Sequence, residues 1–407
     1  MYRLRQSKNK HSLEKTLKKA LLTALATACL ATTPLASHAA EPFKIGLIIP
    51  MTGPFASTGK QVEAAARLYM QQNGDKVDGR QIQLIVKDDG GIQPETTKRL
   101  AQELVVQEKV NVIAGFGLTP LAFAAAPIAT QSKTPMVVMA AGTSSIMQKS
   151  PYIVRTSMTL PQTTAPLADW AAKNPNSHIK SVVTLVSDFG PGHDAEKVFT
   201  KRFTEGGGKI LGNLRIPQQN PDFSPFLQRV KDLKPDAVFV FVPSGQGSTL
   251  MKQFAQRGLA AAGIKLIATG DVLDDDLLPS MGDEALGIIT SQHYSTAHDS
   301  PENKAYVAAF RKLTNNSMRP NFMSVGGYDG MHLIYAALKK AGPNATGDQL
   351  LAAMKGASWT SPRGPMSIDP QTRDVVQNVY IRKAEKVDGQ IYNVEFDKIE
   401  HFKDPGV

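Results

Sequence analysis

Residues 110–129 read VNVIAGFGLTPLAFAAAPIA, and their pattern decides the fold class. The first seven are strand-length and rich in Val, Ile and Phe without regular polar alternation, as in a strand buried on both faces. Gly117-Leu118-Thr119-Pro120 interrupts them. Ala122, Ala125, Ala126 and Ala129 then recur at i, i+3, i+4 and i+7, which lines one face of a helix. Strands buried on both faces, each followed by a helix with one apolar face, build a parallel sheet covered by helices.

The unit recurs in both directions. Residues 44–50, 81–86 and 135–140 are further apolar runs, and Val62, Ala65, Ala66, Tyr69 and Met70 repeat the helical spacing after the first. Four more runs follow at 182–187, 209–216, 237–242 and 264–269. About ten strands would make a large open sheet. The expectation is therefore an α/β chain of two Rossmann-like lobes with parallel-sheet cores. The first break falls near 152–161, where Ser, Thr and Pro cluster. The last third differs: helices are expected at 301–315, 324–341 and 346–356, then a strand pair at 375–384 and 390–399 joined by Val387-Asp388-Gly389.

The chain has 407 residues, enough for two or three domains, with 42% hydrophobic and 20% charged residues, an ordinary globular composition. A net charge of +10 invites a nucleic-acid reading. Its distribution removes that reading. Arg3, Arg5, Lys8, Lys10, Lys15, Lys18 and Lys19 against Glu14 give the first 39 residues +6, and the 39 basic and 35 acidic residues beyond them leave only +4.

Those first 39 residues match a secretory signal peptide: a basic region to Lys19, an apolar stretch over 20–35 broken by Pro34, and Ser37-His38-Ala39 before the cut. Cleavage is expected after Ala39, with Ala40 second. A membrane anchor is disfavoured because the stretch is short of the ~20 residues of a span. Lipidation at Cys29 is disfavoured because Ala26 stands where a larger aliphatic residue is usual. Cys29 is the only cysteine, so the mature chain has none. That excludes cysteine nucleophiles, zinc–cysteine sites and iron–sulfur clusters, and leaves stability to the cores. No later segment has 18 uninterrupted apolar residues, so a soluble mature protein is expected.

Ligands of open parallel sheets bind outside the carboxyl ends of the strands. The loop at 51–60, MTGPFASTGK, is near a phosphate loop, but its glycines are one residue too far apart and Gln61 replaces the required Ser or Thr, so a turn into a helix or a mobile cleft loop is expected. Thr119 and Pro120 suit a helix N-cap and first position. They equally suit a carboxylate held by backbone N–H groups and a hydroxyl. Ala141-Gly142-Thr143-Ser144-Ser145 sits at the next strand end, and the two loops together favour one carboxylate site. In the second half, Ser187-Asp188-Phe189-Gly190-Pro191-Gly192 and Gly270-Asp271 occupy the same position. Acidic residues facing a carboxylate-binding loop would suit a zwitterion. Enzyme constellations are thin. Pro243-Ser244-Gly245-Gln246-Gly247 lacks the first glycine of a nucleophile elbow, and neither His193-Asp194 nor Asp274-Asp275-Asp276 has a metal-ligand spacing partner. His178, His293, His298, His332 and His401 are scattered surface or core residues. No catalytic residue, metal or cofactor is assigned.

The leader, 44–59, 115–129, 135–143, 188–192 and Gly326-Gly327-Tyr328-Asp329-Gly330 together resemble the leucine/isoleucine/valine-binding protein family, the type I periplasmic solute-binding proteins of ABC transporters. The resemblance covers essentially the whole mature chain. It implies two α/β lobes joined by three crossovers and closing on ligand like a hinge. Lobe 1 would be 40–156 plus 291–357, and lobe 2 would be 157–290 plus 358–407. It gives Thr119 and Thr143 to the ligand carboxylate, the Ala141 carbonyl and Asp271 to an amine, and Phe55, Phe189 and Tyr328 to the ligand's side chain. Thr119 for Ser, Phe189 for Tyr and Asp271 for Glu are departures, so a small carboxylate is expected more firmly than a branched-chain amino acid. The implied function is capture of an amino acid, or an aromatic acid, in the periplasm by a monomer that delivers it to an inner-membrane permease, with no nucleic acid and no catalysis. A ligand-sensing receptor subunit is the competing reading of the same fold.

Overall fold

The computed structural model describes residues 41–407, so the expected leader and Cys29 lie outside the described residues. Among those residues no helix is long and apolar enough to cross a membrane.

The chain first builds β1 (Phe43–Ile49), α1 (Ala56–Asn73), β2 (Lys76–Val77), β3 (Arg80–Asp88), α2 (Pro94–Val106), β4 (Val112–Gly115), α3 (Thr119–Ser132), β5 (Met136–Val138) and β6 (Ile153–Arg155). It then crosses to α4 (Leu160–Lys173), β7 (Ser181–Ser187), α5 (Gly190–Glu205), β8 (Lys209–Ile216), α6 (Ser224–Leu233), β9 (Ala237–Phe241), α7 (Gly247–Gln256), β10 (Lys265–Thr269) and β11 (Ile289–Gln292). It returns for α8 (Pro301–Leu313), α9 (Phe322–Ala341) and α10 (Gly347–Met354), with α9 packed on α1. It crosses a third time into β12 (Ser358–Ser361), β13 (Gly364–Ile368), β14 (Val375–Val387) and β15 (Gln390–Phe402).

Two sheets result. The first has the order β2-β3-β1-β4-β5-β6 and the second β12-β13-β14-β11-β10-β9-β7-β8, with β15 paired to β14. The strands read from uninterrupted Val and Ile runs form the parallel parts. The second sheet is mixed, because β14 pairs antiparallel to β11 and extends the sheet through β13 and β12. The expected boundary at 290/291 falls inside β11, which pairs with β10 and β14, so the crossing comes after Gln292. The boundaries at 156/157 and 357/358 fall directly beside β6 and β12.

In each sheet the strand order reverses at one point, between β1 and β4 and between β7 and β9. Loops diverge there and leave a crevice at the strands' carboxyl ends. Gly326 belongs to the packing of this frame: a Cβ on it would lie 2.2 Å from the Met139 carbonyl oxygen, so only glycine lets α9 lie this close to the end of β5.

Candidate functional site

The two crevices meet in one small cavity of about 30 Å³. From the first sheet it takes Phe55 and Thr58 after β1, Leu118 and Thr119 after β4, and Ala141 and Gly142 after β5. From the second it takes Phe189 and Pro191 after β7, Phe241 at the end of β9 with Pro243 and Ser244 after it, and Asp271 after β10. Met158 and Leu160 come from the first crossing, and Met323 from the start of α9.

Thr119 is the first residue of α3, not its N-cap. Leu118 holds the cap position without a side-chain hydrogen bond, and the Leu121 and Ala122 amides donate to its carbonyl. The Thr119 hydroxyl is thereby released from capping. It donates to the Thr143 hydroxyl at 3.1 Å, and both residues are buried. The start of α5 approaches the same pair, since a Cβ on Gly190 would stand 3.1 Å from Thr143 Oγ1. Two helix N-termini, each carrying about +0.5 of partial charge, therefore converge on two hydroxyls. Gly192 permits the tight turn from β7 into α5, because a Cβ there would overlap the Ser187 carbonyl at 1.8 Å.

Ala141 lines the cavity, but its carbonyl is occupied. It accepts from Arg155 Nη1 at 3.3 Å and from Ser157 Oγ at 3.2 Å, one donor for each lone pair. The role of amine acceptor that the resemblance gave it does not fit this arrangement. Tyr328 is also elsewhere. It sits on the face of α9 that packs on α1, its ring edge-on to Tyr69 at 5.0 Å and its hydroxyl donating to Gln72 Oε1 at 2.7 Å. Phe55 is buried with Leu118 and Leu121, and Phe189 is half-buried and stacked on Phe241 with centroids 6.0 Å apart.

Asp271 is buried, and Gln292 Nε2 donates to it at 3.3 Å. Burial pushes its carboxyl up to about 7. An acid whose folded pKa is raised favours the folded state least when ionised, so the penalty is absent below about pH 4 and complete above about pH 7. The ligand-free protein should therefore lose stability between pH 5 and pH 8, and Asp271→Asn should lose less, by on the order of 2–3 kcal/mol. Denaturant titrations at the two pH values check this; equal losses in both proteins would contradict it.

Phe241, Pro243, Ser244, Met158, Leu160 and Met323 were not foreseen. Phe241 ends β9 and Pro243 and Ser244 follow it, so the strand-end rule that singled out the other loops reaches them too. The last three reach the cavity through tertiary packing and carry no local signal.

A cavity between two strand-reversal points, lined by both halves of the chain, defines a two-lobe binding protein of the type I periplasmic fold. Residues 42–390 match the family model described as periplasmic binding protein, and the chain belongs to that family. The chain is similar to the Leu/Ile/Val-binding protein homolog 6 of Brucella melitensis, 44% identical over 393 residues, covering 96% of this chain and 99% of that protein. It is also similar to a solved solute-binding protein of an ABC transporter from Rhodopseudomonas palustris BisB5, in complex with 3,4-dihydroxybenzoic acid. That structure is 62% identical with a TM-score of 0.87, covering 89% of this chain and 99% of that one. A second solute-binding protein from R. palustris, in complex with 4-hydroxybenzoate, is 42% identical with a TM-score of 0.87, covering 90% and 99%.

Proposed function

We propose that this protein binds an aromatic carboxylate without an α-amine, of the hydroxybenzoate type, in the periplasm and delivers it to an ABC permease of the inner membrane. The observation that carries the reading is the saturated Ala141 carbonyl beside the Thr119 and Thr143 hydroxyls, which bond to each other. The cavity offers a carboxylate the Thr119 hydroxyl, with Thr143 bonded behind it, and two helix N-termini, and the Ala141 carbonyl that lines it already accepts two hydrogen bonds. Phe55, Phe189, Phe241, Met158 and Leu160 supply apolar walls for a ring. Asp271, from the other sheet, accepts a hydrogen bond from a hydroxyl at the far end of the ligand. The two relatives with hydroxybenzoates in their solved complexes support the same class.

The sheets with their helices act as two lobes, 41–156 plus 293–357 and 157–292 plus 358–407, that part to admit the ligand and close over it. Capture and release involve no covalent step. An amino acid is the second reading, favoured by the name of the Brucella relative and by an acid at position 271. A thermal-shift panel separates the two. A ligand that binds only the folded state raises the apparent melting temperature by mass action. Benzoate and 4-hydroxybenzoate should raise it at millimolar concentration, whereas benzamide and leucine should not. A shift with leucine and none with either acid would replace this reading by the second.

A further inference from the structure

The buried Arg155 ends β6, where the first crossing begins, and its guanidinium is fully desolvated. Nη1 donates to the carbonyls of Ala141 and Met158 at 3.3 and 3.2 Å, Nη2 donates to the carbonyl of Thr143 at 3.0 Å, and Nε lies 3.0 Å from Asp374 Oδ1. Ala141 and Thr143 flank Gly142 in the strand-end loop, so one side chain holds the loop by the carbonyls on either side of its glycine. The Thr143 side chain is left to meet Thr119 at the cavity. The same guanidinium takes one lone pair of the Ala141 carbonyl, and Ser157 takes the other.

We propose that Arg155 is a specificity-determining positioning residue: with Ser157 it closes the Ala141 carbonyl to a ligand ammonium and, through the Thr143 carbonyl, fixes the hydroxyl pair at the cavity, so that the cavity takes amine-free carboxylates and refuses α-amino acids. Specificity is a difference of affinities, and it is obtained here on both sides. A carboxylate meets the Thr119–Thr143 hydroxyl pair that the arginine's bond to the Thr143 carbonyl holds in place. An ammonium meets an acceptor whose lone pairs are used. The arginine touches the loop, not the ligand, so it acts through Ala141 and Thr143. Asp374 balances the charge and keeps the guanidinium compatible with burial.

This inference rests on the amine-free reading of the ligand. The test measures dissociation constants of 4-hydroxybenzoate and 4-hydroxyphenylglycine, which carries an α-amine, for three proteins. These are the wild type, Ser157→Ala, and the double variant Arg155→Gln, Asp374→Asn, which removes both buried charges together. The wild type should prefer 4-hydroxybenzoate by at least about 100-fold, a difference of ~2.7 kcal/mol. The double variant should narrow that preference by about 10-fold or more, and Ser157→Ala by about 3-fold. A merely structural role would weaken both ligands alike and leave the ratio unchanged. A ratio within about 2-fold of wild type in Ser157→Ala, and in the double variant where it folds, overturns the inference while the proposed function stands. A double variant that binds the acid as the wild type does and takes 4-hydroxyphenylglycine no better does the same. A wild type that prefers the amine-bearing ligand overturns the proposed function itself.

Discussion

Asp329→Asn should lower the melting temperature of the ligand-free protein by on the order of 5–10 °C. Asp329 lies on the buried face of α9 and forms an ion pair with Arg363 at 2.9 Å, both side chains excluded from solvent. It also accepts from Trp359 Nε1 and Ser361 Oγ, each at 2.8 Å. Arg363 in turn donates to the Ser157 carbonyl at 3.1 Å and to that of Thr156. One ion pair thus ties α9 to the first and third crossings. Asn has nearly the same shape but no charge, so the guanidinium stays buried without its counter-ion. Breaking one side of a buried pair in this way costs about 3–5 kcal/mol. A differential scan at pH 7 checks it, and a fall of less than about 1 °C would mean that the pair is not needed where the crossings meet.

Thr119→Ala should weaken 4-hydroxybenzoate by about 10- to 100-fold, given ~1.5–3 kcal/mol for a hydrogen bond to a charged group. The loss should fall on binding and spare stability. The hydroxyl bonds only to Thr143 Oγ1, while the turn that opens α3 is held by the Leu118 carbonyl. Were Thr119 the N-cap, its truncation would cost about 1 kcal/mol of stability as well. Calorimetric titration together with a thermal scan separates the two cases. An unchanged affinity would remove Thr119 from the site.

The alternation of apolar runs and helical stripes was enough to place two parallel-cored sheets, because each signal is local. What escaped was non-local. Strands β6, β11, β12 and β13 have three to five residues each, and pairing partners define them rather than periodicity. The antiparallel extension of the second sheet follows from the same pairings. At the site, the strand-end rule found Thr119, Ala141, Phe189 and Asp271, all of which line the cavity. Residue type could not tell which atoms were still free to bind. The Ala141 carbonyl is taken by Arg155 and Ser157, one crossing away, and nothing near residue 141 announces it. Tyr328 follows glycines whose purpose is close packing of α9 on β5 and α1, so the motif marked a helix contact instead of a ligand contact.

The most direct measurement is a calorimetric titration of the mature chain with 4-hydroxybenzoate, and then with leucine, at pH 7. The predicted result is one molecule of 4-hydroxybenzoate per chain with micromolar or tighter affinity, and no heat of binding from leucine. Tight binding of leucine with none of 4-hydroxybenzoate would contradict it.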